Sequence, residues 1–167
     1  MPAEAWSISP DGLNSSTVYS HGRGGISRST DGGATWSICN AQARSLLVLS
    51  PPTDQDSRTM LYATTPTGLR SSDDGCRTWR DVPSTGVQPA ASSISSLAPY
   101  PNNYSILYAG MNALGGLYRS TDRGVTWQAA ASGLPAHAHI TSITADPRKP
   151  EHMLVGLRYS GDRHPPA

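Results

Sequence analysis

Phenylalanine is absent from this sequence, lysine occurs once, at Lys149, and cysteine twice, at Cys39 and Cys76. Aromatic residues make up 7% and hydrophobic residues 37% of the 167 positions, and so few bulky side chains suit an all-β protein of short strands better than a helical bundle. No run approaches the roughly 18 apolar residues that a membrane-crossing helix needs. The opening MPAEAWSISPDG has no basic stretch followed by an apolar one, so it does not read as a secretory signal, and no compartment follows from it. An excess of one charge is missing too. Thirteen basic residues face twelve acidic ones, a net charge of +1, which gives no general attraction to nucleic acid or to an anionic membrane surface. Two cysteines make no disulfide framework and read as unpaired thiols, with pairing across neighbouring repeats left open. Nothing points to a cofactor.

What the chain does have is glycine, 16 residues, and proline, 14, spaced as turns between short segments. Three stretches align: GISRSTDGGATW (25–36), GLRSSDDGCRTW (68–79) and GLYRSTDRGVTW (116–127). Their tryptophans, Trp36, Trp79 and Trp127, stand 43 and 48 residues apart. Upstream of each lies an alternating segment centred on tyrosine: TVYSHG, MLYATT and ILYAGM. Further upstream comes an apolar run that ends at proline. A fourth unit opens with ITADP and MLVGLR. Period-two alternation with four short segments per repeat predicts an all-β fold: a β-propeller segment of about three and a half four-stranded antiparallel blades in an incomplete ring. The expected blades cover about 5–40, 45–83 and 93–131, with a half blade at about 139–160, all in one domain spanning 1–167. No Trp-Asp pair closes a repeat, which disfavours the WD40 type.

Between the third and fourth strands the chain must reverse, and the residues there suit that task. Asp31 can fold back onto backbone amides, Gly33 can take a positive φ, Ser29 and Thr35 can hydrogen-bond across the turn, and Trp36 can wedge against a neighbour. Ser120, Asp122, Gly124, Thr126 and Trp127 repeat the set. The second copy allows two registers. An ungapped one uses Ser72, Asp74, Thr78 and Trp79 but puts Cys76 where glycine belongs. A bulged one uses Ser71, Asp73, Gly75, Thr78 and Trp79, and is preferred because it keeps glycine at the strained position. One carboxylate and a few carbonyls per turn are too few for calcium, so no metal site is expected.

The pattern S-x-D-x-G-x-T-W resembles the Asp-box, or BNR, repeat of sialidases, sortilin-type receptors, some xyloglucanases and photosystem II assembly factors. The resemblance implies a propeller whose turns lie on one face and whose ligands bind the other. That other face would carry His21, Arg23, Arg44, Asn112, His137, His139, Arg158 and Tyr159, with bases and no carboxylate. Glycoside hydrolysis usually uses two carboxylates, and the sialidase variant a tyrosine, a glutamate and an arginine triad. Tyr159 and several arginines are present, but the arginine-bearing first-strand motif of sialidases is not. His137 and His139 could face one side of a strand as metal ligands, yet no third ligand is identifiable, and a solvated loop is the plainer reading. The expectation is therefore a non-catalytic interaction or assembly module, like the photosystem II assembly factors. It would bind a protein or an anionic or carbohydrate ligand, as a homodimer completing a ring or as part of a longer chain. The alternative is a fragment of a glycoside hydrolase whose catalytic residues lie on other blades.

Overall fold

The computed structural model describes residues 4–39, 42–50, 58–87, 93–101, 103–112, 116–130, 133–135, 139–146, 148–149 and 151–158. Fourteen strands form among them, and no helix there is long and apolar enough to cross a membrane. The first sheet contains β1 (Ala5–Pro10), β2 (Val18–Gly22), β3 (Gly25–Ser29) and β4 (Ser37–Ile38). The second contains β5 (Ser45–Leu49), β6 (Met60–Thr65), β7 (Gly68–Ser72) and β8 (Arg80–Val82). The third contains β9 (Ile94–Tyr100), β10 (Asn103–Met111), β11 (Leu117–Ser120) and β12 (Gln128–Ala129). A two-stranded sheet, β13 (His139–Ala145) and β14 (Met153–Arg158), follows. Strands pair in chain order and antiparallel throughout, so each sheet is a meander, as the repeat predicts.

The tyrosine-centred strands explain how the sheets associate. In β6, Leu61 and Ala63 point to one side and join Tyr19 and Ile26 of the first sheet. Tyr62 points to the other side and joins Leu107, Ala109 and Met111 of β10. In β10 the next residue over, Tyr108, turns toward Ile140 of β13. Period-two alternation thus divides β6 and β10 each between two cores, so sheets stack in sequence with an apolar layer in every gap. Each fully buried Leu or Ile in these layers contributes roughly 1.5–3 kcal/mol over an exposed one. Gly110 sits where the last gap is tightest. A Cβ there would lie 2.3 Å from the Ile140 side chain, so only glycine lets β13 approach β10.

Polar struts join the first two sheets as well. Asp11, buried in the β1–β2 loop, accepts from the Leu13 amide at 2.9 Å, the Thr59 hydroxyl at 2.5 Å and the Ser50 hydroxyl at 3.2 Å. Cys39 and Cys76 form a disulfide with their Cα atoms 5.5 Å apart, tying the end of the first sheet to the second turn. The expectation of unpaired thiols is corrected here. The spacing of 37 residues gives no hint of the pair, because stacking of two neighbouring sheets is what brings them together.

Candidate functional site

The three turns between third and fourth strands share one hydrogen-bond scheme among their serine, aspartate and threonine residues. In the first, the Ser29 hydroxyl donates to Asp31 Oδ1 at 2.7 Å and accepts from the Gly33 amide at 2.8 Å. The Thr35 amide donates to the same carboxylate oxygen at 2.8 Å, and the Thr35 hydroxyl to Oδ2 at 2.5 Å. The Trp36 indole N–H closes the turn on the Gly33 carbonyl at 2.9 Å. Ser120, Asp122, Gly124, Thr126 and Trp127 repeat the arrangement, with the indole bond at 2.8 Å.

The second turn departs from the bulged register. Ser72 donates to Asp74 at 2.9 Å and accepts from the Cys76 amide at 3.0 Å, and Thr78 donates to Asp74 through its amide at 3.0 Å and its hydroxyl at 2.6 Å. Ser71 and Asp73 take no part in this scheme. Asp73 instead lies 3.5 Å from Arg80. Gly75 does have a positive φ, 69°, but so does Cys76, 67°, in the place that Gly33 and Gly124 occupy in the other turns. Glycine was the wrong guide to register. Two consecutive residues of each turn are left-handed, and in the second turn the latter of them is the disulfide-bonded Cys76 in place of glycine. The Trp79 indole N–H, buried, has no hydrogen-bond partner among the described residues.

These bonds decide what the aspartates can do. The Thr35 hydroxyl and amide, then Ser29, hold the Asp31 carboxyl down at about 2. Thr78 and Ser72 do the same for Asp74, and Thr126 and Ser120 for Asp122, each also at about 2. A group so acidic stays ionised at neutral pH and is unsuited to proton donation, which requires a raised value. Among the described residues no three His, Cys, Asp or Glu side chains converge as metal ligands.

The residues expected on the opposite face are only partly brought together. Arg23 and Arg44, both exposed, line one cavity of about 460 Å³ with Gln42 and Pro66. Glu4 lies 3.7 Å from Arg23, outside that cavity, so this face does carry a carboxylate, contrary to expectation. Its place one residue before β1 brings it to the β2–β3 turn. His21 is buried rather than presented: its Nε2 donates to the Ala43 carbonyl at 3.1 Å and its ring meets Trp6 edge-on at 5.3 Å. His139 and Arg158 face each other across β13 and β14, outside that cavity, and Asn112 is exposed at the end of β10. His137 and Tyr159 lie outside the described residues.

A larger cavity, about 620 Å³, opens on the turn side between the second and third sheets, and sequence reasoning missed it. Arg58, Arg80 and Arg123 line it over Met60, Tyr62 and Tyr104. The available signal was Arg123, an arginine in the turn where the other two copies have Gly32 and Gly75.

No protein-family model matches the chain, and no curated protein matches its sequence. Among solved structures the chain is similar to an ancestral GH74 enzyme, with 19% identity, a TM-score of 0.66, and coverage of 92% of this chain and 22% of that one. It is also similar to the GH74 enzyme of Niastella koreensis, with 20% identity, a TM-score of 0.59, and coverage of 84% and 24%. YCF48 bound to D1 peptide matches at 16% identity and a TM-score of 0.45, over 94% of this chain and 62% of that one. The chain thus spans less than a quarter of the length of the two GH74 enzymes. At such identities the likeness is one of fold: the stacked meanders are a β-propeller segment.

Proposed function

We propose that this chain is a non-catalytic Asp-box (BNR) propeller segment that serves as an interaction or assembly module, comparable to photosystem II assembly factors. It binds a protein or anionic partner through the face opposite the turns, where Arg23 and Arg44 share a cavity. The observation that carries this reading is the state of the carboxylates. Three are held ionised by internal hydrogen bonds, and Glu4 is beside a guanidinium instead of a second acid. Guanidinium groups at an open cavity favour partners that present carboxylates.

A glycoside hydrolase fragment is the second reading, favoured by the fold match to GH74 enzymes and by the fraction of their length that the chain spans. In that case the acids that do the chemistry belong to other blades. Calorimetric titration separates the two. An alternating Glu-Ala decapeptide is expected to bind, and its Lys-Ala counterpart not. Arg23→Ala and Arg44→Ala should each weaken binding roughly 3- to 10-fold, about 1 kcal/mol apiece, with the thermal midpoint unchanged. Turnover of an aryl glycoside that disappears on substituting either arginine would establish the hydrolase instead.

A further inference from the structure

The cavity on the turn side has the makings of a second binding site. Among the described residues, three arginines, Arg58, Arg80 and Arg123, and one carboxylate, Asp73, line it, in a chain whose net charge is only +1. Asp73 stands 3.5 Å from Arg80 and is not used to hold the second turn, where Asp74 does that work. Arg123 is the more telling residue. Its φ is 61°, in the left-handed region that glycine fills at the same place in the other turns, Gly32 and Gly75. A long side chain kept in a strained conformation, beside a cavity that it lines, is a mark of use. The Tyr62 hydroxyl, on a buried ring, donates to the Arg123 carbonyl at 3.2 Å and fixes that residue over the cavity.

We infer that this cavity binds a compact dianion, a phosphate monoester or a dicarboxylate, carried on an apolar stem. Planar guanidinium forks match the paired oxygens of phosphate and carboxylate groups. Three arginines around one cavity suit an anion with several charged oxygens. Met60 and Tyr104 provide an apolar wall for the stem, and about 620 Å³ is in the size range of small-molecule sites. The site is independent of the opposite face and of the partner proposed for it.

The test is calorimetric titration of the whole chain with inorganic phosphate, with succinate and with chloride at constant ionic strength. Saturable binding of phosphate or succinate, without binding of chloride, is expected. Phosphate binding more tightly assigns a phosphate monoester, and succinate binding more tightly a dicarboxylate. Arg123→Gly should weaken the preferred probe about 10-fold while leaving the thermal midpoint level or higher, because glycine relieves the turn. Arg58→Ala, outside the turn, should weaken it similarly, and Arg23→Ala should leave it unaltered. Absence of saturable binding, or binding that survives both Arg123→Gly and Arg58→Ala, overturns the assignment.

Discussion

Asp31, Asp74 and Asp122 accept hydrogen bonds on both carboxylate oxygens, and all from residues within four positions of themselves. Such bonds form with the ionised carboxyl and are lost on protonation, which is why each folded value falls from 3.8 to about 2. The sign follows directly. A folded value below the unfolded one means that the stabilisation is complete above the unfolded value and disappears as pH falls through the folded one. The thermal midpoint, followed by circular dichroism, should decline between about pH 4 and pH 2. Asp122→Asn should lower the midpoint at neutral pH and make the acid decline shallower. An unchanged acid profile would mean that these bonds are also present in the unfolded chain. At this scale the sequence was readable where one serine and one aspartate were available. In the second turn two of each stand side by side, Ser71, Ser72, Asp73 and Asp74. Reach decided between them: the carboxylate four residues before Thr78 is the one that meets its amide.

At the scale of strands and turns, the tyrosine-centred segments became the second strands because alternation gave them two apolar faces. That was legible. The contacts between sheets were not, since they depend on how the sheets stack. Cys39 and Cys76 belong to different sheets, as do the arginines of the turn-side cavity, Arg58 and Arg80 in one region and Arg123 in the next. Residues far apart in the chain carry no mark of such meetings. The disulfide closes a loop of separation 37, for which the loss of unfolded-chain entropy is worth about 4 kcal/mol. Cys39→Ser with Cys76→Ser should therefore lower the urea midpoint clearly, and reduction of the wild-type protein should reproduce the loss. If neither does, the bridge contributes nothing beyond the apolar layer around it.

For the whole molecule, the stacked sheets leave apolar side chains at both ends. Trp6 and Ile8 on β1 are 64% and 62% exposed, and Leu154 on β14 is 66% exposed. In a closed propeller such faces are covered by adjoining blades. Sedimentation equilibrium of this chain should accordingly show association that increases with concentration, and Trp6→Ser combined with Ile8→Thr should reverse it. A folded monomer at every concentration would remove the idea that two copies complete one ring.

Strands β6 and β10 each give alternate side chains to two different cores. A defect in either strand is consequently felt on both sides of it. Disorder that starts at one gap has a route to the next, like a row of books in which every volume leans on two others. The sheets are therefore coupled strand by strand: within β6 a change at Leu61 loosens one gap and a change at Tyr62 the other, whereas the packed residues of β14 serve a single gap.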